Sequence, residues 1–311
     1  DVYKRQLYRA GDLGGAEVEL GTARTVTGDE PQVLELLGEV YYAGGRLHEA
    51  LSVWEEALEK SPDDRELSSR LEKVRRELPV EEAMARSSGG NFTISYDGGA
   101  LGELGDQVLE VLGDAYNDVG RELDIYPDVQ IPVLLYTRRE FSELTGAPDW
   151  SGGLYDGKVR IPVGGLRAMT DRLRAVLYHE YTHVAVRHLT RGRCPVWLNE
   201  GLAEVAGRRY FDPPLNALEA AAAAGKLLPF DRLERSFAGL PPGDVALAYE
   251  QSYSLVAFFI DEFGRHKMEE LLAAAAEGLS AAAAVDRALA DYGTGYEELL
   301  ARWRVRVGGR A

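Results

Sequence analysis

Residues 175–189 read AVLYHEYTHVAVRHL, and inside that run His179, Glu180 and His183 form the pattern HExxH. The spacing acquires chemical meaning on a helix. Side chains four apart there differ by about 40° around the axis and about 6 Å along it, so two imidazoles can reach one cation. Glu180 sits next to the pair, beside the position of a water on that cation, where a carboxylate can serve as general base. The same letters also arise where two buried histidines bond backbone carbonyls, so the metal reading requires a third ligand.

The following stretch, RCPVWLNEGLAEVAG, offers one. Gly192 is placed to stop the first helix and Pro195 to open the next, so the chain turns back within a few residues. That brings Glu200 opposite the histidine pair. Two imidazoles and a carboxylate leave a fourth tetrahedral position for water, which is the donor set of a catalytic rather than a structural zinc site. Glu204, one turn on, is placed to accept a hydrogen bond from a ligand histidine and fix its tautomer. Trp197 is expected to pack beneath the site. His188 lies about 140° around the helix from His183, and neither it, His266 nor His48 is expected to bind metal.

The elements that must position these residues are legible as a change of pattern along the chain. From Thr170 onward the sequence is expected to be almost wholly helical, with helices over 170–190, 195–210, 215–225, 244–263 and three more beyond. Ahead of it, FTISYD (92–97) and IPVLLY (131–136) read as strands flanking an amphipathic helix over 101–123. A short helix follows Thr137 as its N-cap. GGLYDGKVRIPVGG (152–165) reads as a hairpin-like segment ending in a strand, which Pro162 assigns to a sheet edge open to pairing with an extended peptide. The small flexible residues of ARSSGGN (85–91) read as a linker.

The front of the chain carries a repeat. A shift of 34 residues superposes Leu7 on Tyr41, Leu13 on Leu47, Ala16 on Ala50, Leu20 on Trp54 and Ala23 on Ala57. The second copy (31–64) resembles a tetratricopeptide repeat through Leu34, Leu37, Gly38, Tyr41, Ala50, Trp54, Ala57 and Pro62. Gly38 and Ala50 allow close helix approach, Tyr41 and Trp54 fill the space between repeats, Pro62 ends the second helix, and a helix over 65–78 caps the stack. Such repeats serve as partner docking surfaces or as packing arms.

Composition narrows the function further. The 311 residues carry 35 basic and 51 acidic side chains, a net charge of −16, which repels nucleic acid and anionic lipid. No apolar run is long enough for a membrane span. Cys194 is the only cysteine, which excludes an intrachain disulfide. DVYKRQ is the translation of a transposase end used in sequencing libraries, so Asp1–Gln6 are expected to be a scar and the natural N-terminus to be missing. Localisation is therefore left open.

HEYTH followed by WLNEGLAE resembles the gluzincin metallopeptidases, most nearly the bacterial peptidase MA-like proteins in which repeats precede the catalytic domain. The resemblance implies Zn2+ held by His179, His183 and Glu200, with Glu180 as base. LAYEQSYSLVAFF resembles the gluzincin segment whose tyrosine stabilises the oxyanion, which points to Tyr249, with Tyr253 one turn away as the substitute. The Gly-x-Met-Glu-Asn strand of the aminopeptidase branch has no counterpart here, which disfavours that branch. The resemblance also suggests an exported or cell-envelope setting. The expected fold is α+β, with tetratricopeptide-like helices over 1–88 and, over 89–311, a gluzincin domain with a small mixed sheet and a mainly helical C-terminal half. The expected activity is peptide-bond hydrolysis with repeats docking a substrate or partner. The alternatives are a retired enzyme kept as a scaffold and a metallohydrolase acting on another substrate.

Overall fold

A computed structural model describes residues 13–99, 101–147 and 152–309. Asp1–Gln6 and Leu7 lie outside the described residues. The fold is α+β, mainly helical with one small mixed sheet. Contacts group the chain into two compact units, one running to Asp114 and resuming over Pro127–Val176, the other formed by Ala115–Tyr126 with Leu177 onward. Among the described residues no helix is long and apolar enough to cross a membrane.

The first unit begins with α1 (Leu13–Thr27), α2 (Pro31–Ala43), α3 (Leu47–Lys60) and α4 (Arg65–Glu82). The 34-residue register survives as burial: Ala16, Leu20 and Ala23 are buried in α1, as Ala50, Trp54 and Ala57 are in α3. Gly38 is needed because α2 and α3 press together there. A Cβ at that position would stand 2.1 Å from Trp54 Nε1, and the same nitrogen donates to the Glu35 carbonyl at 2.9 Å. His48 is exposed and faces Glu82.

Helix α4 runs four residues past the expected end, through Pro79. A proline inside a helix removes a backbone bond and crowds the preceding turn. Here Glu77 and Glu81, on either side of it, are fixed by buried cations from the sheet, and that anchoring keeps the last turn helical.

The sheet has the order β1-β2-β3-β5-β4. Ala85–Gly89, expected to be a linker, is strand β1, antiparallel to β2 (Phe92–Tyr96). Its exposed polar side chains hide it from any apolar pattern, and the Gly90–Asn91 turn, with Gly90 at φ +56°, closes the hairpin. β2 runs parallel to β3 (Ile131–Tyr136) through the crossover helix α5 (Gly102–Leu123). β3 leads into α6 (Arg138–Thr145), where Thr137 and Glu140 form a capping box. β5 (Val159–Pro162) is parallel to β3 and antiparallel to the two-residue β4 (Leu154–Tyr155).

The edge position expected for Pro162 is not observed. β5 lies inside the sheet, and β4 sits opposite Val159 and Arg160, where an added peptide would have paired. Proline is tolerated because it ends the strand: it faces Tyr136 on one side, and the β4 ladder stops before reaching it on the other.

The two faces of the sheet differ in chemistry. Phe92, Ile94 and Tyr96 are buried on one, where Tyr96 and Gly89 meet Gly105 and Leu109 of α5. On the other, the fully buried Arg160 donates to the Tyr42 and Tyr136 hydroxyls, both at 2.7 Å, and to Glu77 at 3.2 Å. Lys158 donates to Glu81 at 2.9 Å, and Asp156 accepts from Arg160 and from Lys73. Glu77, Glu81 and Asp156 thus balance Lys73, Lys158 and Arg160, the condition under which buried charge is tolerated. Arg160→Met would leave Glu77 buried without its guanidinium partner, with the Tyr42 hydroxyl as its remaining close donor. The expected loss is about 3–5 kcal/mol in denaturant unfolding, and an unchanged midpoint would show that the network contributes no stability.

The second unit is built on α7 (Asp171–Thr190), α8 (Val196–Gly207), α9 (Asn216–Ala223), α10 (Phe230–Leu233), α11 (Pro242–Phe263), α12 (Arg265–Ala276), α13 (Ala281–Ala288) and α14 (Tyr296–Gly308), with α7 joining it from Leu177. Leu177, Tyr178, Tyr181, Val184, Ala185 and Val186 are all buried, as are Glu180 and Thr182, which makes α7 a core helix enclosed on most sides with its polar residues inside. Trp303 of α14 is buried and donates to Ser254 of α11 at 3.1 Å.

Candidate metal centre

Helix α7 starts at a Thr170 cap, whose hydroxyl accepts from the Leu173 amide at 3.1 Å. It ends where Arg191 and Gly192 take successive left-handed conformations, φ +54° and +69°. The Gly192 amide closes the last turn on the Arg187 carbonyl at 2.9 Å, and Pro195 at φ −57° opens α8. Arg193, inside this turn, donates to the last-turn carbonyl of Ala276 in α12 at 2.8 Å. Reversal and anchoring together set α8 against α7.

Helix α8 also lies hard against α11. A Cβ on Gly201 would stand 2.5 Å from the Ser252 carbonyl oxygen and 2.4 Å from Val256. The glycine between Glu200 and Leu202 is therefore what allows the helix to come this close. Trp197 is fully buried on the same helix.

The geometry gathers three side chains. Glu200 Oε2 lies 3.6 Å from His179 Nε2 and 3.5 Å from His183 Nε2. These ligand atoms lie within 4.8 Å of one another, and His179, His183 and Glu200 form the one such group found among the described residues. The separations exceed normal N–H···O lengths. A tetrahedral cation about 2.0–2.1 Å from each donor would hold its ligands about 3.3 Å apart. Glu200 Oε2 and His183 Nδ1 are buried without a hydrogen-bond partner. The donor set and its spacing thus fit a divalent cation.

Charge binds the cluster further. Burial disfavours the imidazolium of His179, but the Glu200 and Glu204 carboxylates outweigh it and hold His179 well above its ordinary value. Against the same opposing burial, Glu200 raises His183, and the two histidines hold Glu200 well below the carboxylate range. Glu204 Oε1 stands 3.4 Å from His179 Nδ1, while its other oxygen accepts from Arg208 Nε at 3.0 Å. Glu204 is lowered accordingly, against its own burial, by His179 and Arg208.

Glu180 is buried, with Oε2 lacking a partner. Burial raises its pKa even against the pull of both histidines. The Tyr249 ring lies 6.5 Å from the His179 ring, and burial together with the Glu200, Glu180 and Glu204 charges keeps its phenol protonated. Tyr253 goes elsewhere, under the Arg208 guanidinium at 4.3 Å. His188 and His266 are outside the cluster. Burial, followed by the Glu200 charge, pushes the Cys194 thiol up, which makes it a poor nucleophile.

Residues 124–309 match the Peptidase MA superfamily. The chain belongs to the peptidase MA superfamily. Its matched region covers the whole cluster, and peptidases of this superfamily are typically metal-dependent. No curated protein matches the chain.

Three supporting residues of this superfamily member are absent from the sequence reading. Arg208, one turn after Glu204, ties that carboxylate to Asp212 at 2.8 Å and was detectable as a helical i,i+4 pair. Phe237 stands edge-on to Tyr249 at 5.3 Å, from a short irregular segment that no periodicity marks. Gln251 is buried and holds both the amide and the carbonyl of Leu228. Gly201→Ala would push α8 off α11, at a cost of about 1–3 kcal/mol. Thermal stability and cation affinity should fall together in this variant, and a melting temperature and affinity equal to the parent's would refute the close-approach role.

Proposed function

We propose that the chain is a zinc-dependent peptidase of the gluzincin type, with Zn2+ held by His179, His183 and Glu200. The observation that carries this reading is the convergence of both Nε2 atoms on one Glu200 oxygen at 3.5–3.6 Å without hydrogen bonding. A divalent cation bound there supplies Lewis acidity, lowering the pKa of a water and polarising the substrate carbonyl. Glu180 accepts the proton of the attacking water and passes it to the leaving amine, a role suited to a buried carboxylate with a raised pKa. Tyr249, protonated and facing His179, donates to the carbonyl oxygen as negative charge gathers on it. Glu204, with Oε1 3.4 Å from His179 Nδ1, is placed to accept from that nitrogen and fix its tautomer, itself steadied by Arg208.

Helices α1–α4 are read as tetratricopeptide-type repeats that dock a substrate or protein partner, supported by the Gly38–Trp54 contact and by the shared burial of the two copies. An exported or cell-envelope setting goes with the family reading.

Each role has its own defect. Glu200→Ala should lose the cation, shown by metal analysis after dialysis. Glu180→Gln should keep it while casein cleavage falls about 10²- to 10⁴-fold. Tyr249→Phe should keep it with cleavage down about 10²- to 10³-fold. Chelator should abolish cleavage and Zn2+ restore it. A chain that binds the cation yet cleaves no unfolded protein would instead be a scaffold built on this fold.

A further inference from the structure

The first unit encloses a cavity of about 480 Å³, lined by α1, α2 and α4 and by the polar face of the sheet. Its size suits a small ligand. Two of the ion pairs that line it are internally satisfied, Glu17 with Arg46 at 2.6 Å and Glu81 with Lys158 at 2.9 Å, so they add walls but no net charge. Arg86 and Asp128 are different. Both line the cavity, both are exposed, and neither has an ion-pair or hydrogen-bond partner among the described residues.

These two free charges stand at opposite ends of one strand. Arg86 on β1 pairs with Ser95 on β2. Asp128 belongs to the segment held at the other end of β2 by Asn91, whose Nδ2 donates to the Pro127 carbonyl at 2.9 Å. The stretch from Asn91 to Ser95 spans about 13 Å of extended chain. Between the ends the lining offers the Ser95 and Thr93 hydroxyl oxygens, the latter donating to Gln130 Oε1 at 3.3 Å while the Gln130 amide nitrogen donates to the Gly90 carbonyl at 3.2 Å, with Val40, Val129 and Leu134 as apolar surface.

We propose that this trench binds a short peptide with free termini, extended along β2 with its amine at Asp128 and its carboxylate at Arg86. The strand between these two ends, about 13 Å from Asn91 to Ser95, matches about four extended residues. A simple anion would use Arg86 and leave Asp128 unanswered, and a simple cation would do the reverse. A zwitterion uses both, its backbone N–H groups meet the Thr93 and Ser95 hydroxyl oxygens, and small side chains meet the apolar surface. None of the metal-centre residues takes part, so the site goes beyond the peptidase reading.

The test is an NMR titration of the full-length Glu180→Gln chain with tetra-alanine, read at the backbone amides of Thr93, Ser95 and Gln130. The readout needs no turnover, so it stands whether or not Glu180 is the base. Saturable shifts at those amides are expected. Affinity should fall at least tenfold on N-acetylation or C-amidation of the peptide, and at least tenfold in Arg86→Glu and in Asp128→Lys, both at exposed positions. No shifts at millimolar peptide, shifts confined to other residues, or equal affinity for the doubly capped peptide would overturn the proposal.

Discussion

A single carboxylate oxygen held between two imidazoles organises the second unit. Glu200 Oε2 is too far from either Nε2 for a normal hydrogen bond and too buried for water to satisfy it. Such an arrangement leaves lone pairs and charge unanswered unless something cationic sits among them, and the helices are spent on preserving it. The left-handed pair Arg191–Gly192 reverses the chain, Arg193 fastens the turn, and Gly201 removes the side chain that would keep α8 away from α11. The same carboxylates hold both histidines above their ordinary pKa against the opposing burial, so the cluster favours positive charge between its acids.

The first unit solves a different problem with the same rule. Its sheet is apolar towards α5 and charged towards α4, so one face is held by hydrophobic burial and the other by ion pairs. Burial of alternate residues sets which face of a strand turns inward, and Arg160 adds a directional condition, since it reaches Tyr42, Tyr136 and Glu77 together only when strand and helices are correctly aligned. The network therefore fixes where the helices lie on the sheet more than it adds to stability, since well-packed apolar groups would stabilise about as well.

What the sequence disclosed depended on whether a position reports its neighbours along the chain or across space. Helices from Thr170 onward were legible because packing imposes an apolar period of 3.6, and the helix stop at Gly192 because only glycine enters the left-handed region freely. His179, His183 and Glu200 were legible as a set because two helices and one short turn constrain where their side chains go. β1 was not, since an exposed edge strand needs only backbone partners and carries no apolar alternation. Pro162 misled because its outward side is free only locally, at the end of an inner strand. The extra turn of α4 was illegible because Pro79 speaks against it, while the cations that hold it lie some eighty residues away at Lys158 and Arg160.

The choice between Tyr249 and Tyr253 shows how a helix divides labour that sequence spacing cannot. The two are one turn apart on α11, and the family resemblance points to Tyr249 with Tyr253 as the substitute. Arg208, committed to Glu204 through Nε, spreads its guanidinium over the Tyr253 ring and so ties that tyrosine into the support of His179. Tyr249 is instead propped edge-on by Phe237 with its ring 6.5 Å from that of His179, where burial first and three carboxylates after it make ionisation of its phenol unfavourable. A phenol that keeps its proton stays able to donate a hydrogen bond, which is what the role proposed above for Tyr249 requires. The acids around the two histidines therefore add to burial in keeping the Tyr249 phenol protonated.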